Sequence, residues 1–212
     1  FFYIVPTDIS YGSNILSINS QGFATKFPFL EQGNIGYSVL KKELKYFKFG
    51  RGPKQIFYSG AIHGNEWINT TLLMKFLENL CTAYLNRGNI WGYPASSLFN
   101  QYTLYVVPLA NPDGVDLVVG NIKKYHPQSY NSAQKLSQNY LTIPFPNGWK
   151  ANIEGIDLNL QFPAEWETAR NNKFAQGYTK PGPRDYVGPS PLYAQEAKAL
   201  YNFTLSKNFS LI

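Results

Sequence analysis

His63 and Glu66 stand three residues apart in the stretch Ala61-Ile62-His63-Gly64-Asn65-Glu66-Trp67. An imidazole and a carboxylate at that spacing lie on one side of a helical turn, so both can reach one zinc ion. Two donors are fewer than a catalytic zinc site uses, since such a site takes three protein ligands and a water. Two further stretches combine acids and amides with turn residues: Asn111-Pro112-Asp113-Gly114 and Gly155-Ile156-Asp157-Leu158-Asn159. The chain has only two histidines, and the second, His126, sits in a long polar segment and reads as a surface residue before it reads as a ligand. A bare His-x-x-Glu is weak evidence alone, because a loop histidine and a dipole-favoured acid at a helix start have the same spelling.

These residues need elements that end where they stand. The apolar, β-prone run Gln55-Ile56-Phe57-Tyr58 predicts a strand over Ile56 to Ile62. Trp67 to Leu85 predicts a helix, with Leu72, Leu73, Phe76, Leu77 and Leu80 as its apolar face. Tyr102 to Leu109 is an almost unbroken apolar run, as a central strand covered on both sides requires, and it leads directly into Asn111. Ser10 to Phe27 reads as an amphipathic helix carrying Ile15, Leu16, Ile18 and Phe23, weakened by Gly22. Phe1 to Pro6 reads as extended, Phe29 to Gly36 as a loop, and Val39 to Phe49 as a hairpin. Val115 to Val119 fits a short helical or extended piece. Residues 120 to 154 form a polar segment of weak periodicity, and 170 to 191 a Gly- and Pro-rich loop. Ser190 to Ser206 predicts a helix and Phe209 to Ile212 the start of a buried strand. Strands alternating with helices predict an α/β fold: a mixed, mostly parallel sheet flanked by helices.

At 212 residues one domain with a sizeable core is the simplest organisation. The net charge of +6 is spread without a dense Lys/Arg block, which argues against a nucleic-acid partner. A mild positive field suits an anionic polymer such as bacterial wall material, and equally plain solubility. The single cysteine, Cys81, excludes a disulfide framework and a Cys-rich structural zinc site, and is expected in the core. No run has the length of a membrane-spanning helix, and no secretory signal is recognisable. The opening Phe1-Phe2, without Met, suggests a mature or trimmed form.

In order, His63-Gly64-Asn65-Glu66, Asn111-Pro112-Asp113-Gly114 and Gly155-Ile156-Asp157-Leu158-Asn159 resemble the three signature stretches of the zinc metallocarboxypeptidase family. The stretch Asp157 to Trp166, Phe27-Pro28-Phe29-Leu30 with Ile35 to Leu40, and Gly188-Pro189-Ser190-Pro191-Leu192 look most like the bacterial γ-D-glutamyl-L-diamino acid endopeptidases of that family. Those enzymes cut murein stem peptides between D-glutamate and the diamino acid, often behind LysM repeats. The resemblance therefore implies a peptidase domain over 29–212 and a lead-in over 1–28 that resembles the tail of a LysM-type module. It implies zinc on His63 and Glu66, activating a water and polarising the scissile carbonyl. Asp157 would orient the zinc-bound histidine from behind its ring, with a solvated loop acid as the alternative. Lys150 would stabilise the oxyanion, with an exposed loop lysine as the alternative. Asp113 would shape its own turn and stay clear of substrate.

Asn159 matches the family residue that helps hold the substrate's carboxylate, and the arginine expected beside it is Leu160. Leucine cannot clamp a free carboxylate with two parallel hydrogen bonds, so an endopeptidase, or a differently anchored substrate, is expected over a conventional carboxypeptidase. Arg170 or Arg184 could supply a charge, and nothing in the sequence selects either. The family's third zinc ligand would fall at or just after Ile212 and its catalytic glutamate later still. The expectation is therefore an incomplete C-terminal part, weak or absent zinc binding, no meaningful hydrolysis by this chain alone, and dimerisation or aggregation through a bare sheet edge. The function implied is a zinc metallopeptidase acting on murein stem peptides, outside the cell or at the wall of a bacterium. A non-catalytic binder of wall peptides and a conventional carboxypeptidase are the alternatives.

Overall fold

The computed structural model describes residues 3–212, so the extended reading of Phe1 and Phe2 lies outside the described residues. In chain order the elements are α1 (Ser13–Lys26), β1 (Glu31–Tyr37), β2 (Glu43–Gly50), β3 (Lys54–Ser59), a 3-10 turn (Gly64–Glu66) and α2 (Ile68–Leu85). A small hairpin follows, β4 (Asn89–Ile90) and β5 (Tyr93–Pro94), then α3 (Ala95–Gln101) and β6 (Tyr102–Val107). The remainder is α4 (Pro112–Val118), α5 (Asn121–Tyr125), α6 (Pro127–Ser137), a 3-10 turn (Leu158–Leu160), α7 (Trp166–Ala175), α8 (Gln195–Leu205) and β7 (Phe209–Leu211).

The large sheet runs β1-β2-β6-β3-β7. β1 pairs with β2 and β2 with β6 antiparallel, while β3 pairs with both β6 and β7 in parallel. The mixed sheet flanked by helices is thus the predicted architecture, but among the described residues only two of its four strand pairings are parallel, so it is not mostly parallel. Along β6 the side chains alternate between two cores, as the period of two demands. Leu104 and Val106 pack with Phe47, Phe49, Met74, Leu77 and Cys81 on the α2 side. Tyr105 and Val107 pack with Phe57, Leu200 and Phe203 on the α8 side. Both faces are covered, which is why β6 reads as a continuous apolar run. Because β3 and β6 are parallel, their C-terminal ends open at the same edge, the place where α/β sheets form ligand crevices.

Several elements differ from the sequence reading. Residues 29–36 contain most of β1, whose Gly33 and Gly36 depress strand propensity. Gly33 faces Tyr46 across the strand pair, and a β-carbon there would lie 2.5 Å from the Tyr46 ring. The polar segment 120–154 holds α5 and α6, which send only Ile122, Ala133 and Ser137 fully inward, too few for a visible period. α7 occupies the start of the expected 170–191 loop and buries only Trp166. On α2 the inward face is Thr70, Met74, Leu77 and Cys81, whereas Leu72 is 65% exposed. Of the predicted face Leu77 and Leu80 are buried and Leu73 and Phe76 pack against the same core. Apolar content missed Thr70 and Glu78, which are buried with partners: Thr70 donates to the Pro108 carbonyl, and Glu78 accepts from the Ile4 amide and Lys75. On α1, likewise, Asn19 turns inward to Tyr11 and Ile18 outward. The inward residues of α1, with Val5 and Tyr11, belong to the same core as β2, β6 and α2. Among the described residues no helix is long and apolar enough to cross a membrane.

The two sides of α2 give a direct check. Leu77→Ala should destabilise the fold by about 2–5 kcal/mol, and Leu72→Ala should stay within about 0.5 kcal/mol of wild type. Equilibrium urea denaturation of the two variants measures both.

Candidate active site

Past the end of β3 the chain stays paired with the continuation of β6. The Gly60 amide donates to the Val107 carbonyl, Ala110 to Gly60, and Asn111 to Ala61, at 2.9, 2.9 and 3.1 Å. His63 is still extended, and the next residues close into the 3-10 turn that carries Glu66 into α2. This places His63 Nδ1 3.0 Å from Glu66 Oε1. Two ligand atoms on one tetrahedral zinc, each about 2.0–2.1 Å from the ion, lie about 3.3 Å apart. The pair therefore fits a shared zinc in both donor chemistry and separation. Among the described residues no group of three or more His, Cys, Asp or Glu side chains gathers at one point to hold a metal.

Asp157 reaches the other side of the ring, its Oδ1 lying 3.3 Å from His63 Nε2. A carboxylate there favours a proton on Nε2, while Nδ1 faces the Glu66 carboxylate, with donor and acceptor roles set by the tautomer. The pKa of His63 is raised: the hydrogen bond to Asp157 does most, burial works against it, and Glu66 adds to the rise. Asp157 caps the 3-10 turn Leu158–Leu160 by accepting from the Asn159 amide. The Lys150 ammonium stands 3.4 Å from Glu66 Oε1, beside the His63–Glu66 pair and not on a free loop. A cleft of about 400 Å³ opens beside Glu66, lined in part by Ala61, Asn69, Asn159, Phe162 and Tyr201. Asn159 is exposed on its wall, while Leu160, the next residue, is half-buried and outside the lining set.

The residue that ties these pieces together is Asn111, fully buried. Its Oδ1 accepts from the Gly114 amide and caps α4, with Pro112 in the first turn. Its Nδ2 lies within hydrogen-bond range of the Ile62, Lys150 and Ala151 carbonyls, at 3.1, 3.2 and 3.0 Å. The glycines of the two motifs are needed for the same approach. A β-carbon on Gly64 would sit 2.6 Å from the Gly114 carbonyl, and one on Gly114 would sit 2.5 Å from the Ala151 oxygen. Asp113 stays clear of the cleft, as expected, but it does not cap the turn. It is buried, accepts from the Leu40 amide and pairs with Lys42. His126 lies apart from the site, beside Lys42 and Asp116.

The sequence reading did not find the role of Asn111, although an Asn before a Pro at a helix start is a recognisable capping signal. Nor did it find Asp185, whose amide donates to Asp157 Oδ2 at 3.0 Å, and no sequence signal marks that residue.

Compared with known proteins, residues 20–212 match the family model of zinc carboxypeptidases. The chain belongs to the zinc carboxypeptidase family. It is 39% identical to γ-D-glutamyl-L-diamino acid endopeptidase 1 of Lysinibacillus sphaericus, over 96% of this chain and 49% of that protein. It is 37% identical to the uncharacterized protein YqgT of Bacillus subtilis, over 82% of this chain and 45% of that one. The chain thus spans about half the length of these curated relatives. Bovine thrombin-activatable fibrinolysis inhibitor superposes with a TM-score of 0.65 at 18% identity, over 94% of this chain and 57% of that chain. Carboxypeptidase A from Helicoverpa armigera gives a TM-score of 0.66 at 17% identity, over 93% of this chain and 43% of that chain. At such identities the likeness shows a shared carboxypeptidase fold.

Asn111→Asp keeps the cap on α4 but turns a carboxylate oxygen toward three carbonyls. We expect it to destabilise by roughly 2–4 kcal/mol, more than the loss of a single hydrogen bond. Thermal and urea unfolding of Asn111→Asp beside Asn171→Asp, the same change at an exposed position of α7, would show whether the penalty belongs to this junction.

Proposed function

We propose that the chain forms the metal-holding part of a zinc metallopeptidase that hydrolyses γ-D-glutamyl-diamino acid bonds in the stem peptides of bacterial murein, at the cell wall. The observation that carries this reading is the convergence of His63 Nδ1 and Glu66 Oε1, with Asp157 behind the ring. His63 and Glu66 would hold zinc with a further protein donor, and the ion would supply a polarised carbonyl and an activated water. Asp157 keeps the proton on Nε2 and so aims the Nδ1 lone pair. Lys150 brings a positive charge to the place where an oxyanion would develop, and a cation already in place loses nothing to reorganisation. Asn159 offers its amide to the substrate from the cleft wall.

Leu160 supports cleavage away from a free C-terminus, since it removes the planar cation that a terminal carboxylate needs. The 39% identity with a named γ-D-glutamyl-L-diamino acid endopeptidase supports the substrate class.

Zinc titration by calorimetry tests the metal pair. His63→Ala and Glu66→Ala should abolish measurable binding, and Asp157→Ala should weaken it by about 10–100-fold. Binding should strengthen with rising pH, because proton and metal compete for His63. In the metal-free protein the sign runs the other way. A histidine with a raised folded pKa contributes stability in full below its unfolded value and loses it as pH climbs through the folded one. Asp157→Asn should flatten that decline, and an unchanged profile would sink the assignment.

The substrate class has its own test. A γ-D-glutamyl-diaminopimelate peptide titrated into labelled protein should shift the amide signals of Glu66 and Asn159 in NMR spectra. Equal affinity for a dipeptide offering only a free terminal carboxylate would favour a conventional carboxypeptidase instead.

A further inference from the structure

We propose that Asp185 positions the metal-binding histidine at one remove, by holding Asp157, and that Lys173 on α7 locks Asp185 in the backbone conformation this task requires. Asp157 divides its carboxylate between two duties. Oδ1 faces His63 Nε2 and the Asn159 amide, at 3.3 and 3.2 Å. Oδ2 accepts from the Asp185 amide at 3.0 Å. The backbone of Asp157 is held by the same segment, its amide donating to the Tyr186 carbonyl at 2.9 Å.

The Asp185 amide points at Oδ2 from a left-handed backbone, with φ at +66°. A side chain with a β-carbon is disfavoured there, aspartate less than most, so the conformation has to be held by other contacts. Those contacts are visible. Lys173 Nζ lies 2.7 Å from Asp185 Oδ1, and Arg184 Nε 2.6 Å from Oδ2. The Asp185 residue is 8% exposed, so its charge is partly desolvated. Burial pushes the Asp185 pKa up, and the two cations together outweigh burial and hold it below the usual value. Arg184 is the neighbouring residue and moves with the loop. Lys173 comes from a helix, so it is the contact that ties the loop to something fixed. Release of Asp185 toward ordinary φ would swing its amide off Oδ2 and free the Asp157 carboxylate to rotate. The Pro183 carbonyl also accepts from the Lys150 and Ala151 amides, at 2.7 and 2.9 Å, so the same loop supports both the aspartate and the lysine of the site.

The inference rests on the reading of His63 as a metal donor only for its catalytic consequence, and the experiment separates the two. The tautomer of His63 is read in metal-free protein from long-range ¹H–¹⁵N NMR correlations, and zinc affinity is measured on the same samples. Wild type should show the Nε2–H form. Lys173→Met should give a mixture of tautomers and weaken zinc several-fold, Asp185→Ala should do the same, and Lys173→Arg should restore both readouts. If Asp185→Ala does not fold, Lys173→Met alone decides, since Lys173 is on a solvent-facing helix. Variants that lower the melting temperature but keep the wild-type tautomer would overturn the proposal. A tautomer that responds to Lys173→Met in a protein that binds no zinc would support the positioning and refute the metal assignment instead.

Discussion

The side-chain amide of Asn111 is the interaction on which the site depends. Its one acceptor caps α4, and its NH₂ group faces carbonyls from the His63 loop and from the Lys150 loop. A side-chain amide offers an acceptor and two N–H donors together, and the three carbonyls share those two hydrogens. Of these main-chain groups the Lys150 carbonyl also accepts from the Gly64 amide, so the Asn111 side chain adds to a direct link between the two loops. Around this amide the backbones of Gly64, Gly114 and Ala151 meet without room for a β-carbon. His63, Glu66 and Lys150 then occupy their positions because the two loops that carry them are fixed to each other through Asn111.

A second set of buried charges holds the other side of α4. Lys42 pairs with Asp113 and Asp116 at 3.1 and 2.7 Å. Asp116 also accepts from the Ser13 amide and from Asn121, so it links α1, α4 and α5. Glu196, on α8, accepts from the Val39 amide and from Asn152 without a cation beside it. Its pKa is pushed up to about 7, first by burial and further by Asp113 nearby. The connection between β1 and β2 is thus pinned by acids from α4 and α8. Buried acids of this kind are tolerated only because each has donors or a cation in reach.

Legibility varied with how local the cause was. β6 was clear in the sequence because both of its faces are covered, so Tyr102 to Val107 carry an apolar signal that needs no period. The helix after Trp67 was clear in extent and, Leu72 apart, in facing, but Thr70 and Glu78 are inward for reasons of hydrogen bonding that hydrophobicity does not register. β1 was hidden by Gly33, which is small to admit the Tyr46 ring from the neighbouring strand. The helices within 120–154 were hidden because so little of them faces the core. Asp113 was read as the turn-former of its motif, yet the turn is capped by the residue two places earlier, and Asp113 spends its charge on Lys42.

By itself the sequence determined the chemical groups of the His63–Glu66 pair and their mutual distance. His63 and Glu66 are separated by one turn between a strand and a helix, so local geometry alone brings Nδ1 and Oε1 together. The tertiary structure decided everything that approaches this pair from elsewhere. Lys150 reaches Glu66 from 84 positions away, and Asp157 is aimed at His63 by an amide 28 positions further on. Those meetings depend on the register between β3 and β6 and on the pairing of the loop at 182–187 with 150–157. Pairing of that kind joins distant main-chain groups irrespective of their side chains, so the residue pattern along the chain does not record it.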